Sequence, residues 1–281
     1  MKICLILDST TYRAKYLKDE PLKMVNLNVM TQKETYKELE MPIELVVDNL
    51  KKNVHMTTSQ AAPGDFLKTY DECTDEGYTD VFVVPLSSGV SGTYQSANIA
   101  KSIYEGPLNI HIFETKVCSF GLENVTERIL EIIKDENSLE EKINKVKNLL
   151  ASTELGFTLG SLMHLYRGGR LSGVSALVGT VLHIKPIIEM VNGKLENTKK
   201  CRTHKNVIEH FTNIIDKFAQ NYKKVYLNII HLDMKEKALE LKKYVEEKYN
   251  NFRTIITTEL SPVFFIHIGL EGYGLTIAGE N

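Results

Sequence analysis

Strands alternating with helices in the first half of the chain, and a strand-dense second half, predict an α/β protein. It should comprise an α/β/α domain with a mostly parallel sheet and a smaller two-layer α+β domain with a mixed sheet. Three observations carry this. Apolar runs at Ile3–Leu7, Asp80–Leu86 and Asn109–Phe113 each open into a polar segment, as buried parallel strands do. Helix-like segments beginning at Pro63 and Thr93 lie between them. Beyond residue 153 the strand-like runs crowd together, and Asn192-Gly193 between two of them is a hairpin signal.

Taken in order, Ile3–Leu7 ends in Asp8-Ser9-Thr10-Thr11, and Asp80–Leu86 ends in Ser87-Ser88-Gly89-Val90-Ser91-Gly92-Thr93. The third run ends at Glu114-Thr115. Ser138 with Glu141 has capping-box spacing, so a helix should start at Leu139, bury Ile143, Val146 and Leu149, and stop near Ser152-Thr153. Strands are then expected at Leu155–Leu159, Ile187–Val191, Val225–His231, Arg253–Thr258, Val263–Ile268 and Leu275–Ala278. Lys235–Tyr249 reads as a charged helix with Ala238, Leu241 and Val245 as its buried stripe. The domain boundary is placed near residue 153, giving units 1–153 and 154–281.

A chain of 281 residues with 34 basic and 36 acidic side chains carries a net charge of −2, which gives no general attraction to nucleic acid or anionic membrane. Cys4, Cys73, Cys118 and Cys201 are scattered and lack CxxC spacing, so buried thiols are expected rather than disulfides or a metal site. The apolar run after Met1 is too short for a signal peptide, and no stretch is long enough to span a bilayer. A cytoplasmic protein with no stable membrane insertion is expected.

Three segments rich in Ser, Thr and Gly could hold a ligand: Asp8–Thr11, Thr57-Thr58-Ser59-Gln60 and Ser87–Thr93. Ligands of open parallel sheets bind at the carboxyl ends of strands, where two of these segments fall. Ser91-Gly92-Thr93 opens a helix and could hold an anion. The plainer reading is that such residues are turn and cap formers. GxSxG, HExxH, the Walker A loop and GxGxxG are absent, and the histidines lack metal-ligand spacing. Arg167-Gly168-Gly169-Arg170 holds two guanidinium groups close, and with His183, Lys185, Lys199, Lys200 and Arg202 could form a basic surface.

Thr58-Ser59-Gln60, Pro63-Gly64-Asp65-Phe66, Leu86 through Ala97, Ser119-Phe120-Gly121-Leu122, Arg167-Gly168-Gly169-Arg170, Ile184-Lys185-Pro186-Ile187 and Arg202 follow one another in a telling order. Together with Asp8-Ser9-Thr10 they resemble the DegV family, from residue 8 to about residue 275. The resemblance implies a two-domain protein that buries one long-chain fatty acid in a tunnel between domains. It implies a carrier rather than an enzyme: the carboxylate is presented to a separate ATP-dependent fatty-acid kinase for acyl-phosphate formation. Carried over by motif, Thr58, Ser59, Ser91, Gly92, Thr93 and His267 would surround the carboxylate. Arg167, Arg170 and Arg202 would face the kinase. No cofactor other than the bound fatty acid, and no metal, is implied. Two departures stand out: Leu270-Glu271 where the family has Pro-Gly or a similar small pair, and Glu114-Thr115 in place of Asp-Ser.

Two readings from other classes compete with the carrier. A serine hydrolase of an acyl ester would use Ser91 as nucleophile, His267 as base and Asp8 as orienter. A nucleotide-binding kinase subunit would need a phosphate loop and a carboxylate cluster for Mg²⁺, neither of which is visible.

Overall fold

The computed structural model describes residues 1–172 and 184–281. His183, one of the residues of the expected basic surface, lies outside the described residues. In chain order the elements are β1 (Ile3–Asp8), β2 (Leu22–Val25), β3 (Asn28–Met30), β4 (Thr35–Lys37), α1 (Ile43–Lys51), β5 (Thr57–Ser59) and α2 (Pro63–Asp75). Next come β6 (Asp80–Val84), α3 (Thr93–Ile103), β7 (Asn109–Ile112), α4 (Phe120–Lys134), α5 (Leu139–Ala151), β8 (Glu154–Leu159), α6 (Met163–Arg167) and β9 (Leu171–Ser172). The chain continues with β10 (Lys185–Val191), β11 (Lys194–Cys201), α7 (His204–Asn221), β12 (Lys224–Leu232), α8 (Lys235–Lys248), β13 (Phe252–Thr257), α9 (Pro262–Ile268) and β14 (Gly272–Glu280).

The three apolar runs of the first half form a parallel sheet in the order β2-β1-β6-β7. Both faces of β1 and β6 are covered, which is why every residue in these two strands is apolar or capped by a buried Asp. A second sheet of seven strands, β13-β12-β14-β8-β10-β11-β9, mixes parallel and antiparallel pairs. The chain therefore has the α/β fold with one parallel and one mixed sheet that its patterning predicts. A small antiparallel sheet, β4-β3-β5, was not expected. Thr57-Thr58-Ser59, read as a loop, is its edge strand.

On β12, Val225, Leu227 and Ile229 meet α7 and α8, while Tyr226, Ile230 and Leu232 join the main core on the other face. That alternation with period two buries both faces. Helix α4 packs on β1 and also on β12 and β14, and α5 packs on β14, so this helical pair is shared between the two large sheets. Ser138 caps α5 with the full reciprocal capping box, and Asn192-Gly193 turns β10 into β11.

One element differs from its expected type. Val263–Ile268 is a helix rather than a strand. Its apolar run is ambiguous by periodicity, but Ser261 accepts a hydrogen bond from the Phe264 amide and Pro262 fills the first helical position. No helix among the described residues is long and apolar enough to cross a membrane. The four cysteines are free and buried.

Candidate ligand-binding site

The site starts from a carboxylate that does not itself line the cavity. Asp8 ends β1, is fully buried, and accepts hydrogen bonds from the Thr10 amide at 2.9 Å, the Thr10 hydroxyl at 2.5 Å and the Leu86 amide at 2.6 Å. It thereby ties the loop after β1 to the loop after β6. Burial pushes its pKa up, against the pull of those hydrogen bonds.

The second loop presents Ser91. The Ala61 amide donates to Thr93 Oγ1 at 3.3 Å, and the Thr93 hydroxyl lies 3.0 Å from Ser91 Oγ, which also accepts from the Thr93 amide. With Thr93 donating, the Ser91 hydroxyl proton is left for the cavity. Thr93 itself is fully buried behind Ser91. A Cβ at Gly92 would stand 1.8 Å from Oε1 of Gln60, so a larger residue there would displace the Gln60 amide, which donates to Ser96 Oγ at 2.9 Å.

The other wall is α9. Glu38, fully buried, accepts from the Val263 amide at 2.9 Å and from the Ser9 hydroxyl, fixing the N-terminus of α9 to the first sheet. At the far end of α9, His267 Nε2 lies 2.8 Å from Thr58 Oγ1 on β5. Burial, then the neighbouring Arg170 and His164, lower the His267 pKa to about 4, so the ring is neutral at pH 7. With its proton on Nε2, the ring donates to Thr58 and leaves the Thr58 hydroxyl proton free. Nδ1 has no partner, and a Cβ on Gly168 would stand 2.3 Å from it.

Thr58, Ser59, Ser91 and His267 line one cavity, with Leu27, Val90, Val263 and Phe264 among its apolar residues. Arg170 lines it too: its Nε donates to the Val90 carbonyl at 3.3 Å and its Nη1 to the Gly168 carbonyl. Arg170 is thus a half-buried wall of the site, held down in pKa by burial. On the far side of Thr58, Arg170 and His267 opens a second cavity, lined by His55, His164 and Arg167. No acidic side chain lines it, and among the described residues neither Arg167 nor Arg170 forms an ion pair. An apolar cavity therefore narrows onto hydroxyls and a neutral imidazole and meets a cationic one beyond them.

The structure brings Thr58, Ser59, Ser91, Arg170 and His267 together, sets Gly92 and Thr93 behind them, and leaves Arg167 exposed at the mouth. Arg202 is exposed just beyond β11 and lines neither cavity. Glu271, whose charge would oppose an anion here, is exposed and packs on Gly160 instead. Thr10 and Gln60, in two of the segments expected to hold a ligand, also line the first cavity, as does Ser119, to which sequence reasoning gave no role. Ser119 stands out through its backbone: φ 46° and ψ −122° cost a non-glycine residue about 1–3 kcal/mol, a signal no sequence carries.

The hydrolase triad is not assembled. Asp8 spends its carboxylate on Thr10 and Leu86, His267 pairs with Thr58, and Ser91 pairs with Thr93. Among the described residues no group of His, Cys, Asp and Glu could hold a metal ion.

The model of the DegV family matches residues 2–280. This chain belongs to the DegV family. A DegV domain-containing protein of Staphylococcus aureus (strain N315) is 30% identical over 284 residues, covering 100% of this chain and 98% of that one. Among solved structures, DegV of Bacillus subtilis, described as a fatty acid binding protein, has 28% identity and a TM-score of 0.87, with 100% of both chains covered. A DegV family protein of Thermus thermophilus, described by its fatty acid binding, has 25% identity and a TM-score of 0.86, covering 99% of this chain and 100% of that one. The agreement runs through both sheets of this DegV chain.

Proposed function

We propose that this DegV-family chain holds one long-chain fatty acid in a tunnel between the two sheets and presents its carboxylate to an ATP-dependent partner kinase for acyl-phosphate formation. The observation that carries the reading is the junction of the two cavities. The apolar one ends on Thr58, Ser91 and His267, and the cationic one begins beside Thr58 and His267. A ligand with an apolar body and a single anionic head matches that sequence of surfaces.

Burying roughly 14 methylenes at about 0.8 kcal/mol each stabilises the complex by about 11 kcal/mol before entropic costs. Each hydroxyl that donates to the charged head adds about 1.5–3 kcal/mol, well below the acyl-chain term, so Thr58 and Ser91 set the register of the carboxylate more than its affinity. An incoming carboxylate raises the pKa of His267 and turns the Thr58–His267 pair into a charge-assisted contact. Arg167 and Arg170, open to the second cavity, lie on the side where a kinase would deliver its phosphoryl group. The partner supplies nucleotide and metal. The chain itself needs no nucleophile, in keeping with the unassembled triad.

Native mass spectrometry of the purified protein, followed by denaturing extraction and lipid identification, tests this. An added mass of one C16–C18 fatty acid is expected. A clean mass with no uptake of added palmitate or oleate would refute the carrier reading.

A further inference from the structure

We infer that Ser119 supplies a further hydroxyl donor to the ligand's carboxylate and positions it with Thr58 and Ser91. This rests on the carrier reading above. Three independent observations meet at this residue. Its hydroxyl is fully buried and has no hydrogen-bond partner, an arrangement that polar groups in a finished interior avoid. Its backbone, at φ 46° and ψ −122°, occupies a region suited to glycine. The residue lines the same cavity as Thr58, Ser91 and His267.

The ordinary explanation for a serine before a helix does not apply. Ser119 precedes α4, but its hydroxyl makes no cap. The Leu122 and Glu123 amides bond to its carbonyl oxygen instead, at 2.8 and 3.2 Å. Glycine would remove both the strain and the orphaned hydroxyl, so what the serine adds is a donor facing the cavity. The neighbouring Thr10 cannot take that role, because its hydroxyl proton is committed to Asp8. A carboxylate offers about four lone-pair sites, and Thr58 and Ser91 leave room for a third donor.

Ser119→Ala and Ser119→Gly test the inference against wild type, with palmitate calorimetry and ¹³C NMR of carboxyl-labelled palmitate. Both variants should bind palmitate about tenfold or more weakly, the loss expected for a hydrogen bond to a charged group. The bound carboxyl resonance should shift and titrate at higher pH, since one fewer donor holds the charged form. Without ligand, Ser119→Gly should melt above wild type. Wild-type affinity and an unmoved carboxyl resonance in Ser119→Ala would overturn the inference while leaving the carrier reading intact. Weaker binding with an unmoved resonance would also overturn it, by assigning Ser119 a purely structural role. A wild-type protein that takes up no palmitate would refute the carrier reading itself.

Discussion

Replacing Glu38 by Gln should invert the stability ranking of the two proteins between pH 4 and pH 8. Glu38 fastens α9 to the first sheet through the Val263 amide and the Ser9 hydroxyl. Burial lifts its pKa from 4.5 to about 7; hydrogen bonds from Ser261, Ser9 and Val263 resist, and nearby Asp8 adds to the rise. The folded state therefore holds its proton where the unfolded chain, titrating near 4.5, has released it. The associated stability is fully present below pH 4.5 and lost as pH rises through 7. That interval, at about 1.36 kcal/mol per pH unit, amounts to about 3 kcal/mol. A glutamine side chain here is neutral throughout and escapes this loss. It carries a fixed cost instead. Ser9 Oγ already accepts from the Leu27 amide at 2.8 Å and donates to Glu38, so a facing amide N–H leaves the Ser9 proton without an acceptor, a penalty of about 1 kcal/mol. Urea denaturation at pH 4, 6, 7 and 8 should show Glu38→Gln below wild type at pH 4 and above it at pH 8. Glu123, buried with a pKa of about 7 by the same desolvation, titrates in both proteins and cancels in the difference. Parallel stability profiles would refute the reasoning.

Two further substitutions probe the site. Gly168→Ala puts a methyl 2.3 Å from His267 Nδ1, forcing the ring away from Thr58; a loss of about 1–3 kcal/mol in urea melts and weaker palmitate binding are expected, and wild-type affinity would show that Gly168 does not set the ring's position. Phe264 meets Phe120 and Phe157 edge-on at centroid distances of 5.6 and 6.2 Å and forms part of the wall of the apolar cavity. Phe264→Leu should cost less than the ~3–5 kcal/mol of full truncation and move the bound-lipid profile in mass spectra to longer chains; an unchanged profile would mean that the acyl chain does not reach this ring.

The parallel core was legible because buried strands such as Ile3–Asp8 and Asp80–Val84 are continuous apolar runs ending in polar loops. The three-stranded sheet was not: β3, β4 and β5 have three residues each, too few for a period to register. Helix α4 went unassigned although Leu122, Val125, Ile129, Ile132 and Ile133 recur at helical spacing, because a glycine sits in its first turn and no side-chain cap marks its start. Thr58, Ser91 and His267 were reached through family motifs, and their meeting point is a matter of topology. Arg170 looks like its neighbour Arg167 in sequence, and only the turn at Gly168-Gly169 sends one to the cavity wall and leaves the other exposed. Ser119 declares itself solely through dihedral angles and a missing partner, neither of which is written in residue types.

The contact between Thr58 and His267 joins positions 209 residues apart. Closing a chain segment of that length costs roughly 5 kcal/mol from the length dependence alone, several times what one hydrogen bond returns. The junction at Thr58 and His267 is therefore a late product of folding, formed once both sheets are in place and never ahead of them. No proteolytic fragment that ends before His267 can contain it. A ligand that spans the two walls acts as a cross-link on the folded state alone, and mass action spreads its stabilisation over the whole chain. Occupancy and global stability of this protein should rise and fall together.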